Sequence, residues 1–125
     1  MLVCLTTACG ATTRHTQLQV TLTAQNHHPR ASHSPSVQWG YCVKVTTAAG
    51  TSVASRIHLQ IVSGRTPVAQ VGLVSLKRGY DRWCASIGGE AGVLNAVPRR
   101  KNLDLQAVVT AQGTTVETSW PIVVR

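Results

Sequence analysis

The chain alternates. Between Gln17 and Gln25, Leu18, Val20, Leu22 and Ala24 take every second place, with Gln and Thr between them. Successive side chains of a strand leave opposite faces, so this period of two predicts a half-buried strand. The rhythm returns in 37–45, where Val37, Trp39, Tyr41, Val43 and Val45 share a face. In 53–62 it sets Val53, Ser55, Ile57, Leu59 and Ile61 against Ala54, Arg56, His58 and Gln60. Residues 67–76, 80–87, 103–111 and 114–125 complete the predicted strands. The run at 67–76 opens on Pro67, which cannot donate to a ladder, and is expected at a sheet edge. "NHHPRASHSPS" (26–36) reads as a loop, and "TTAAGTS", "SGRT", "KRG" and "QG" as turns. No stretch carries a convincing helical period. Seven strands separated by turn signals predict an all-β sandwich. Its expected core includes Trp39, Tyr41, Val43, Ile57, Leu59, Val71, Trp83, Leu105, Val109 and Trp120.

Composition narrows the picture. At 125 residues the chain is one domain. Phe is absent and aromatics are 4%, so Val, Leu, Ile and Ala must fill most of the core. Charged residues are 13%, below the usual quarter, and Ser, Thr and Gln supply the polar surface instead. The net charge of +8 favours anionic partners: charged wall polymers, acidic membrane surfaces or nucleic acid. A basic surface kept for solubility is the plainer reading. Only Asp81, Glu90, Asp104 and Glu117 are acidic, which is thin material for carboxylate catalysis.

The start, "MLVCLTTACGATTR", is apolar, passes through small residues to Cys9 and then turns polar. It resembles the end of a bacterial lipoprotein signal, in which the pattern Leu-small-small-Cys places the lipidated cysteine just after the cut. Here Thr6-Thr7-Ala8-Cys9 carries the match, with Leu5 one place early and no basic n-region before it. A start assigned too late would explain the missing n-region. The resemblance implies export and lipid attachment at Cys9. Residues 1–16 are read as signal remnant and tether, and 17–125 as the sandwich.

The stretch "YCVKVTTAAGTSVASRIHLQI" resembles the aromatic-x-Val-x-Val, turn and alternating-strand run of bacterial Ig-like domains. Tyr41, Val43, Val45, Gly50 and Val53 carry it, with Ser52 where proline is usual. "LDLQAVVTAQGTTVETSWPIVV" is similar to their last hairpin. The resemblance implies an immunoglobulin-like β-sandwich of an exported or cell-surface protein, and no catalytic residues. Such domains serve as spacers, adhesin modules or binding platforms.

Cys42 has the parity of Gln38 and Lys44, opposite to Trp39, Tyr41 and Val43, so it faces outward. Cys84 faces outward too if Trp83, Ala85 and Ile87 face in. In the implied topology the second and fifth strands are antiparallel neighbours. Pairing Cys42 with Cys84 then sets Val43 opposite Trp83 and Tyr41 opposite Ala85, all inward. The expectation is a surface cross-strand disulfide, with two unrelated thiols as the alternative. The same register sets Lys44 beside Arg82, an unfavourable pair of like charges.

Other chemistry has little footing. His27, His28 and His33 share a loop, with His15 before it, but no Cys or acid stands close by, and no metal site is expected. His58 is expected on the surface. No G-x-S-x-G nucleophile turn appears, Asp81 and Asp104 lack evident partners, and no Gly-rich phosphate loop precedes a helix. The expectation is a non-catalytic module without a cofactor. Lys77, Arg78 and Arg82, with Arg99, Arg100 and Lys101, are the candidate anion-binding residues, provided their loops sum into one patch. Without aromatic platforms or a groove helix, nucleic acid is the weakest anionic partner. A second functional class is a small-ligand or carbohydrate binding module built on the 26–36 loop.

Overall fold

The computed structural model describes residues 17–88 and 92–125. The strands are β1 (Leu18–Ala24), β2 (Gln38–Thr47), β3 (Ser55–Ser63), β4 (Thr66–Leu76), β5 (Arg82–Gly88), β6 (Leu103–Ala111) and β7 (Thr114–Ile122). A single short 3₁₀ turn, Leu94–Ala96, lies between β5 and β6 among the described residues. The strands form two antiparallel sheets, one of order β1-β2-β5 and one of order β4-β3-β6-β7. The second and fifth strands are neighbours, and the fold is an immunoglobulin-like sandwich.

The alternation read from the sequence sets the faces. Val43 and Val45 of one sheet and Ile57, Leu59, Ile61, Leu105, Ala107 and Val109 of the other are wholly shielded from solvent. These aliphatic side chains pack between the sheets, where each large one stabilises the fold by roughly 1.5–3 kcal/mol. Trp39 and Tyr41 are buried with them. Three expected core members are only partly buried: Val71, Trp83 and Trp120 pack against the core from its rim. All three lie on strands at the ends of the sheet orders.

Strand β4 is an edge, as Pro67 predicted. Its register against β3 shifts twice, between Leu59 and Gln60 and between Ile61 and Val62. Val71 is the unpaired extra residue of the first shift, and Val68 of the second. Bulges of this kind blunt an open edge. At the other end of the sheet, Gln112 and Gly113 both have positive φ (52° and 75°) and join β6 to β7 between the paired Ala111 and Thr114. Two left-handed residues in succession are what a tight type I′ hairpin needs, and Gly supplies one without strain.

The loop after β1 is not free. It crosses to the larger sheet and runs alongside the chain beyond β7. Val123 N donates to His27 O (2.9 Å), Arg125 N to Pro29 O (3.0 Å) and Ala31 N to Arg125 O (2.8 Å). This is a parallel pattern, and Pro29 stands where its missing N–H would have faced Val123. Pro29 itself is fully buried. The first strand and its extension therefore tie the two sheets together.

Candidate functional site

The predicted disulfide is present. Cys42 and Cys84 are directly opposed across β2 and β5, with Cα atoms 4.1 Å apart and a sequence separation of 42. The bond lies on the outward face of the three-stranded sheet. Rows of outward residues cross that face: Thr21–Lys44–Arg82, then Thr23–Cys42–Cys84. Lys44 and Arg82 are both exposed and side by side, as the register required. Val45 N donates to Asp81 O at 2.8 Å, which puts the Lys44–Arg82 pair, like the cysteines, at a position without backbone hydrogen bonds between its members. Side chains stand closest at such positions.

The six basic residues singled out in the sequence do not form one patch. Lys77 and Arg78 follow the end of β4, near Ser52, whose hydroxyl accepts from Gly79 N at 2.9 Å. Arg82 begins β5 on the same end of the sandwich. Arg99, Arg100 and Lys101 precede β6, at the opposite end. A nine-residue strand separates the two ends by roughly 30 Å. The strands alternate in direction, and this sends the two loops apart.

Folding adds members that sequence order concealed. Arg100 N donates to Val124 O (3.0 Å), and Arg125 N donates to Pro29 O (3.0 Å). These bonds gather Arg30, Arg100 and Arg125, all exposed, beside Arg99 and Lys101. Arg30 and Arg125 are 95 positions apart, and only the parallel pairing of 27–31 with 123–125 joins them. Arg100 adopts positive φ (60°), which holds the loop in its turn. At the other end, Lys44 is the addition, brought to Arg82 by the strand register.

The histidine loop has structural duties. His27 stacks on Trp120, with ring centroids 4.2 Å apart and planes 5° from parallel. Its Nδ1 donates to Pro121 O at 2.6 Å, fixing the proton on that nitrogen. Asn26 serves both indoles: its side-chain oxygen accepts from Trp39 Nε1 (3.1 Å) and its carbonyl from Trp120 Nε1 (2.9 Å). A depression of about 200 Å³ lies beside His27, His28, Asp104 and Pro121. It is smaller than the roughly 300 Å³ at which ligand cavities begin. His58 faces outward and bonds to Gln70, which also meets Gln60, while Gln60 donates to Gln106 at 2.7 Å. Among the described residues no three His, Cys, Asp or Glu side chains converge as metal ligands would. Cys9 and His15 lie outside the described residues.

Burial pushes the Tyr41 phenol above its ordinary pKa, and the Trp83 indole beside it acts in the other direction as the smaller influence. Trp83 Nε1 is itself buried and completes no hydrogen bond of ordinary geometry, so the effect of burial prevails.

No family model and no curated protein matches the chain. Among solved structures it is similar to an engineered protein whose crystal structure came from the Northeast Structural Genomics Consortium. The identity is 16%, over 86% of this chain and 20% of that one, with a TM-score of 0.46. This chain thus spans one fifth of that protein's length. At that similarity the likeness says nothing of function, and the fold rests on the strand order above. Among the described residues no helix is long and apolar enough to cross a membrane.

Proposed function

We propose that this protein is a non-catalytic, bacterial Ig-like module of the cell envelope, exported and attached through Cys9, that holds anionic polymers by charge. The observation that carries the reading is the gathering of Arg30, Arg100 and Arg125 beside Arg99 and Lys101 at one end of a chain of net charge +8. Arginine suits such contacts, since its planar fork can meet an oxyanion with two parallel N–H groups. The exposed disulfide supports the compartment, because bonds of this kind persist outside reducing cytoplasm. A stapled sandwich also supplies the rigidity that a spacer or adhesive module requires.

The carbohydrate alternative has less support. Residues 27–31 are engaged in pairing with 123–125, and His27 is held against Trp120. Beside His28 the loop borders a small depression of about 200 Å³.

Binding to an anionic polymer such as poly(glycerol phosphate), followed across salt concentrations, tests the proposal. Exposed charges are screened within about 8 Å at physiological ionic strength. Binding should be strong at low salt and lost above roughly 0.2 M. The variant Arg30→Gln/Arg100→Gln/Arg125→Gln should weaken it further than Lys77→Gln/Arg78→Gln does. Salt-insensitive binding to neutral sugars would favour the alternative and count against this reading.

A further inference from the structure

We infer that the stapled face of the three-stranded sheet holds a discrete oxyanion site, formed by Lys44, Arg82, Thr21 and Thr23, for the phosphate groups of an anionic polymer. The inference rests on the polymer-binding reading above but uses none of the residues that carry it.

Two cations stand directly opposite each other here, which costs free energy in the empty protein. The covalent bond one row away fixes β2 against β5 and holds that register. Their other partner in the row is Thr21, and the next row is Thr23, Cys42 and Cys84, so no carboxylate shares these two rows. Asp81 is the nearest acid in sequence; it precedes β5, and the residue opposite Lys44 in the register is Arg82. An anion between Lys44 and Arg82 relieves the repulsion and gains two charge-assisted contacts.

The surface has room for one. A depression of about 360 Å³ is lined by Thr21, Thr23, Cys42, Lys44 and Arg82. A second, of about 290 Å³, adjoins it through Thr23 and Cys42 and continues past Gly40, Tyr41 and Ala85. The first is cationic with hydroxyl donors, and the second is largely apolar. A tetrahedral oxyanion uses this donor set better than a carboxylate does. Arginine occupies two oxygens, and the others remain for the ammonium and the threonine hydroxyls. The adjoining depression accommodates the neutral unit that carries the phosphate in a phosphodiester chain.

The test is an amide-resolved titration with inorganic phosphate at constant ionic strength. Saturable shifts should concentrate at Thr21, Thr23, Lys44 and Arg82. The variant Lys44→Gln/Arg82→Gln should weaken phosphate binding at these amides at least about tenfold, while Arg56→Gln, exposed on the outward face of the other sheet, leaves it unchanged. Shifts spread evenly over all basic clusters, or binding indifferent to the Lys44/Arg82 change, would overturn the site. Poly(glycerol phosphate) should bind with the same dependence on Lys44 and Arg82. Dependence on those two residues for vesicles of anionic phospholipid, and not for the polymer, would overturn the choice of polymer. If the polymer binds in a salt-sensitive way but ignores Lys44 and Arg82, the site fails and the general reading stands. If it does not bind at low salt, both fail.

Discussion

Ser55 faces the core from the start of β3, and its hydroxyl is buried with no hydrogen-bond partner. An unmet buried hydroxyl is costly, whereas a methyl group there is not. Ser55→Ala should therefore raise stability, by about 1 kcal/mol, in denaturant unfolding. Asn26 is the converse case. Removing its side chain strips the acceptor that Asn26 gives Trp39 Nε1, and Asn26→Ala should cost about 1–3 kcal/mol. Tyr41 gives a dependence on pH. The folded chain holds the phenol proton more tightly than the unfolded chain does, because burial disfavours the phenolate. Its contribution is complete below the ordinary value of 10.0 and is lost as pH rises from there through the raised folded value. Tyr41→Phe should make the alkaline fall in stability shallower and leave neutral pH little changed. The parity of Ser55 and Tyr41 was legible in sequence, and the partners of all three residues were not. Nothing in the string "NHH" says that its asparagine will bridge two tryptophans from distant strands.

At the scale of elements, the disulfide joins cysteines at a sequence separation of 42. Loop entropy for a closure of that length gives about 4 kcal/mol of stabilisation, and measured values more often fall at 2–4. Cys42→Ala/Cys84→Ala should lower the unfolding free energy by that amount while the far-ultraviolet circular dichroism stays that of a β protein. The pairing was readable because parity put both cysteines outward and the implied topology made β2 and β5 neighbours. Two other features were hidden. The bulges of β4 change which side chains face in, and a strict period of two therefore placed Val71 deeper than it lies. The crossing of 27–31 to the second sheet carries no alternating signal. It is made by backbone groups around a buried proline, inside a polar run that reads as loop. Leu94 and Val97 are buried for a similar reason, as plugs in a connection without strand rhythm.

For the whole molecule, the direction of the strands decides where charge accumulates. Lys77 and Arg78 belong to one end, and Arg99, Arg100 and Lys101 to the other, where Arg30 and Arg125 join them. Sequence order left it open whether the loops summed into one patch, because a string does not say at which end of the sandwich each loop lies. The separation predicts additive behaviour: charge removal at one end should leave the contribution of the other intact, since the distance exceeds the screening length. The pair Lys44 and Arg82 adjoins the Lys77–Arg78 end and is fixed by register alone. Every placement on its face follows from Cys42 standing opposite Cys84. Mass-spectrometric peptide mapping of the oxidised, unreduced protein tests that register most directly. It should recover the peptide containing Cys42 joined to the peptide containing Cys84. Recovery of both cysteines as free thiols, or of either bonded to Cys4 or Cys9, would contradict the account.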